Sequence, residues 1–95
     1  MQEKYLPAPG FENYYLVSNL GNIKRLDNGC LKKLTLTKTN YVVVTLSAKE
    51  RKNKTFYVDK LVWLTFYGAA VKSIYHKDGN RLNNCLDNLT IEKVG

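Results

Sequence analysis

Residues 41–68 read YVVVTLSAKERKNKTFYVDKLVWLTFYG, and a change of pattern inside them decides the fold. YVVVTLSA is dense in β-branched residues and TFYVD follows it across the polar connection KERKNK, so the two segments predict a hairpin with an exposed, lysine-rich tip. From Asp59 onward the apolar residues Leu61, Val62, Leu64 and Phe66 surround a short helix, with Asp59 placed to cap its start and Gly68 to end it. Trp63 and Phe66 read first as core residues facing the hairpin. A hairpin feeding one short central helix predicts a small α+β domain.

The flanking segments extend this reading. Upstream, PAPGF is a stiff turn, and YYLVS and NIKRL form a second hairpin across SNLG, where Asn19 and Gly21 supply the turn dihedrals. DNG at 27–29 marks another turn, and LKKLTLT keeps no single period. Downstream, SIYH and LTIE read as two short strands bracketing KDGNRLNNCLDN, which is too rich in glycine, asparagine and aspartate for regular structure.

Ninety-five residues with 44% hydrophobic composition suffice for one core, which predicts a single compact domain over 1–95. No apolar run is long enough to span a bilayer, and MQEKYLPAPG lacks the pattern of a secretory signal, so the expectation is a soluble, cytoplasmic protein with no membrane partner. Cys30 and Cys85 belong to neither a CxxC pair nor a Cys/His cluster, which argues for reduced thiols and against a zinc module.

Fifteen lysines and arginines against eight acidic residues favour a polyanionic partner. The excess concentrates in LKKLTLTK and AKERKNKTFYVDK. Phosphate contacts are therefore expected from Lys24, Arg25, Lys32, Lys33, Arg51, Lys52 and Lys54, helped by Lys77 and Arg81. The guanidinium fork suits bidentate phosphate contact better than an ammonium, so Arg25, Arg51 and Arg81 stand out. A solvated basic surface, or one that meets an acidic protein patch, is the plainer alternative.

IYHKDGNRLNNCLDNL, residues 74–89, carries the only histidine. An imidazole held by a polar neighbour can take a proton from water near neutral pH, which makes His76 a general-base candidate and Asn88 its candidate orienter. Asn80, Asn83 and Asn84 read equally well as residues that close a loop. Asp78 and Asp87 are the carboxylates at hand for a divalent ion.

LPAPGFENYYLVSNLGNIKRL resembles the nuclease-associated modular domain of phage and intron-encoded homing-type endonucleases. YVVVTL, FYVDKLVWLTF and IYHKDGNRLNNCLDNL are similar, in that order, to the HNH nuclease module that follows it. The resemblance assigns residues 5–26 to the first segment and 41–92 to the second, and implies a ββα-metal motif with His76 as base and Asn88 as its positioning residue. It also implies a metal-binding helix, which has no candidate before the sequence stops at Gly95. Tyr75 stands where the family often has a metal ligand, and Asp59 where it commonly has a histidine.

These departures predict an incomplete motif and a non-catalytic phage or mobile-element protein that binds DNA and needs no cofactor, acting in the host cytoplasm. Two alternatives stay open: a Mg- or Mn-dependent endonuclease or nickase using His76, and a protein inhibitor of a host enzyme, with Tyr15, Tyr57, Trp63 and Tyr67 as contacts.

Overall fold

The structure is a computed structural model, and it describes residues 2–49 and 51–92. Three short strands, β1 (Tyr5–Pro7), β2 (Tyr15–Ser18) and β3 (Ile23–Arg25), form an antiparallel sheet in that order. Tyr15, Val17 and Ile23 turn inward from it. The predicted turn between β2 and β3 is present, and Gly21 takes φ +88° there, a conformation open to glycine and strained for other residues.

A second sheet holds β4 (Thr35–Leu36), β5 (Val42–Ala48) and β6 (Arg51–Tyr57). Along β5, Val42, Val44 and Leu46 are buried while Thr45 and Ser47 are exposed, the period-two alternation of a strand with one face on the core. β6 begins at Arg51, so Lys52 and Lys54 lie within the strand instead of at a loose tip. The pleat then sets these two lysines on a common face. The Arg51 side chain lies outside the described residues.

α1 (Val58–Tyr67) follows β6 without a break and packs on β1, β2, β5 and β6, joining the two sheets. Val58, Leu61 and Val62 are its fully buried residues, and each such side chain stabilises the fold by roughly 1.5–3 kcal/mol. The helix ends as predicted, with Gly68 at φ 71° and its N–H donating to the Leu64 carbonyl. Its start differs. Tyr57 is the N-cap and makes no side-chain cap bond, while the buried Asp59 carboxylate, one residue inside the helix, accepts from Lys60 N of the first turn.

β7 (Tyr75–His76) and β8 (Leu89–Thr90) pair antiparallel, His76 opposite Leu89, with a 3₁₀ turn over Leu86–Asn88 just before β8. The second strand is shorter than LTIE, and Ile91 is half exposed. Cys30 and Cys85 are free thiols. Tyr15 is buried in the core, which removes it from any contact surface, whereas Tyr57 and Tyr67 are exposed. Among the described residues, no helix is long and apolar enough to cross a membrane.

Candidate active site

His76 closes β7 and is 9% exposed, with its ring at the wall of a cleft of about 550 Å³. Asp59, Lys60, Lys72, Tyr41, Tyr57, Tyr75 and Arg81 are among the other residues of that wall. Three cations against one carboxylate give the cleft a positive character suited to a phosphate group. Lys60, which closes the AKERKNKTFYVDK cluster, and Lys72 are not among the phosphate contacts expected from the sequence; the fold brings both to the cleft.

The ring is oriented by Asn84. His76 Nε2 lies 2.8 Å from Asn84 Oδ1, both residues are buried, and Nε2–H donates to the amide oxygen. A neutral imidazole with its proton on Nε2 keeps the lone pair on Nδ1, the state a general base requires. Asn88, the orienter expected from the sequence, acts elsewhere. Its Oδ1 accepts from Asp78 N, and its Nδ2 donates to Asp78 Oδ1 and to the Asn83 carbonyl, so it holds the 77–88 loop closed.

Asp78 is likewise committed to the loop. Asn80 N and Asn88 Nδ2 donate to Oδ1 and Asn83 Nδ2 to Oδ2, and these bonds, Asn83 first among them, pull its carboxyl down to about 2. Asp87 is exposed and does not line the cleft. The carboxylate that does is Asp59, only 4% exposed, which places Oδ2 3.9 Å from His76 Nε2 while Oδ1 accepts from Lys60 N at 2.6 Å. Burial pushes the Asp59 carboxyl above its ordinary range, against the pull of the Lys60 N–H and the neighbouring His76. Among the described residues, no three His, Cys, Asp or Glu side chains converge on one point.

The basic residues expected from the sequence divide among several environments. Arg81 leans over the Tyr41 ring at 4.5 Å and donates to the Thr39 carbonyl at 2.7 Å, reaching across to the start of β5. Most of its five N–H donors stay available. The Arg25 fork is filled by Asp27, through Nε to Oδ1 at 3.1 Å and a second nitrogen to Oδ2 at 2.7 Å. Lys24 sits over Tyr5, Lys32 over Tyr15 and Lys54 over Phe56, while Lys33, Lys52 and Lys77 are exposed.

Comparison with known proteins accounts for this arrangement. The NUMOD4 motif matches residues 3–47, a longer stretch than the 5–26 legible in the sequence. DNA endonuclease I-HmuI of Bacillus phage SP01 is 37% identical over 82 residues, 84% of this chain and 47% of that protein. An uncharacterized HNH endonuclease of Acanthamoeba polyphaga mimivirus is 41% identical over 81 residues, 83% of this chain and 24% of that protein. The solved structure of I-HmuI, a study of DNA binding and cleavage by that HNH homing endonuclease, matches with a TM-score of 0.78 at 35% identity, covering 94% of this chain and 51% of that one.

The chain thus spans about half the length of I-HmuI and about a quarter of the mimivirus protein. The expectation of a non-catalytic protein does not stand: both relatives are endonucleases, and the similarity runs through the His76 region over more than four-fifths of the chain. That expectation rested on residues beyond Gly95 and on Tyr75, and it missed the buried hydrogen bond that holds the His76 ring. Carrying β7 and β8 as the strand pair of an HNH-like motif behind an N-terminal NUMOD4 motif, the chain is homologous to the HNH homing endonucleases.

Proposed function

We propose that this chain serves a metal-dependent HNH endonuclease or nickase that binds duplex DNA through its basic surfaces and cleaves it with His76 as general base. The observation that carries the reading is the buried Nε2–H bond from His76 to Asn84 at the wall of a cleft ringed by Lys60, Lys72 and Arg81. It fixes the ring with Nδ1 free to accept a proton, beside side chains able to seat a phosphate.

On this reading Asp59, the one carboxylate among the described residues lining the cleft, would hold a divalent ion such as Mg²⁺ or Mn²⁺. Asp59 offers a hard, anionic oxygen at the cleft wall, and Mg²⁺ is commonly held by one or two carboxylates plus substrate phosphate oxygens and retained waters. Such an ion would neutralise charge developing on the scissile phosphate and its leaving oxygen. Nδ1 of His76 takes a proton from water as the water oxygen attacks phosphorus; the P–O bond to the leaving sugar oxygen breaks, and that oxygen acquires a proton from solvent. Lys60, Lys72 and Arg81 hold the non-bridging oxygens during the displacement.

DNA is the partner on this reading. Lys33, Lys52 and Lys77 carry exposed charge to its backbone, and Lys24, Lys32 and Lys54 add charge steadied over aromatic rings. Purified protein is incubated with supercoiled plasmid, with and without Mg²⁺ or Mn²⁺, beside His76→Ala at matched folding. Metal-dependent nicking that falls by roughly 10²–10⁴ in the variant supports the reading. Nicking that survives the substitution, or its absence in every metal, overturns it.

A further inference from the structure

The NUMOD4 segment and the HNH-like loop are not independent neighbours. The turn between β2 and β3 is built tightly: the fully buried Ser18 accepts at Oγ from Leu20 N at 3.1 Å and Asn22 N at 3.0 Å, and its own N–H donates to the Asn22 carbonyl at 2.8 Å. Three consecutive residues of the 77–88 loop rest on this turn. Leu86 N donates to the Asn19 carbonyl at 2.7 Å, Cys85 Sγ to the Leu20 carbonyl at 3.8 Å, and Asn84 packs on Gly21. That last approach is so close that a Cβ on Gly21 would stand 3.2 Å from both Asn84 Cβ and the Asn84 carbonyl oxygen.

Asn84 is also the residue that holds the imidazole. We infer that the Ser18–Asn22 turn of the NUMOD4 motif is a positioning element for the His76 ring, acting through the contact of Gly21 with Asn84. The turn fixes where the Asn84 backbone lies, the backbone fixes where Oδ1 lies, and Oδ1 selects which ring nitrogen carries the proton. Glycine at 21 therefore does two things. It permits φ +88°, and it leaves room for Asn84 to come close enough to meet His76. The inference rests on the proposed role of His76 for its functional meaning, but the coupling itself is a property of the folded chain.

A single histidine makes the test direct, because the imidazole nitrogens can be observed by NMR with no other ring present. Spectra are recorded on metal-free, DNA-free protein for the wild type, Gly21→Ala, Asn84→Ala and the double variant, with the amides of β5 and β6 reporting that the fold is intact. The inference expects Gly21→Ala to shift the ring nitrogens in the direction of Asn84→Ala, away from one fixed tautomer, and to add no further shift in the Asn84→Ala background. Plasmid nicking should fall by about 100-fold in Gly21→Ala at unchanged DNA affinity, the scale of loss that follows from misplacing a catalytic group by about 1 Å.

Ring signals unmoved in a folded Gly21→Ala overturn the inference, as does a further shift of full size in the double variant. Where Gly21→Ala fails to fold, Ser18→Ala decides, since it loosens the same turn without adding an atom. A shifted ring supports the coupling and an unshifted ring defeats it. A wild-type chain with the Asn84-bound tautomer that never nicks DNA defeats the nuclease reading alone.

Discussion

The β5–β6 hairpin with α1 and the 77–88 loop solve the same problem, holding a chain in one shape, by different means. The hairpin and helix bury Val44, Leu46, Val58, Leu61 and Val62 and are held mostly by removal of apolar surface from water. The loop buries only Asn84 between His76 and Leu89, and side-chain hydrogen bonds hold it instead: Asp78, Asn80, Asn83 and Asn88 bond one another or nearby backbone groups. The first design is tolerant of position and rewards periodicity. The second depends on individual partners, which suits a segment that must set one imidazole in one orientation.

The sharpest way to break the comparison is to cut each region at its strongest point. Leu46 is fully buried on β5, so Leu46→Ala should cost about 2–5 kcal/mol and lower the urea midpoint of the whole domain in one transition. Asn88→Ala removes three hydrogen bonds and should cost less, about 1–3 kcal/mol. Its loss should also be local: amide exchange should quicken between 77 and 88 while β5 and β6 keep their protection. Equal, global effects from both substitutions would erase the distinction.

Acid offers a gentler cut at the same loop. The Asp78 carboxyl is held down to about 2 by the donors around it, so its contribution is complete above the ordinary carboxylate range near 3.8 and disappears as pH falls from there through about 2. The loop amides should open across that window. In Asp78→Asn, NMR titration should show that acid-dependent step missing, with the hairpin signals unchanged.

The same contrast explains what the sequence disclosed. The alternation in YVVVTLSA and the apolar spacing after Asp59 are signatures of burial, and they located β5 and α1 correctly. The sole histidine was visible as well. Its partner was not, because Asn80, Asn83, Asn84 and Asn88 are chemically alike and the choice among them is made by Gly21, more than sixty residues earlier along the chain. The Asp59 carboxylate was misread as a helix cap for a related reason. Its position at the helix start fits capping, but the N-cap is Tyr57 and the Asp59 Oδ2 lies 3.9 Å from His76 Nε2.

Asp59 is where the two designs meet, since it belongs to the buried helix yet faces the polar site. Burial raises its carboxyl above the usual range because it penalises the charged form, and the Lys60 N–H with the His76 ring offsets only part of that cost. Asp59→Asn keeps the shape and removes the charge. In metal-free protein at pH 7 it should raise stability by about 1 kcal/mol or less, a Tm gain of no more than about 4–8 °C, while plasmid nicking in Mg²⁺ falls. A carboxylate kept only for packing would show the stability gain without the loss of nicking. A variant that is both more stable and less active marks Asp59 as a residue retained for chemistry against the interest of the core that surrounds it.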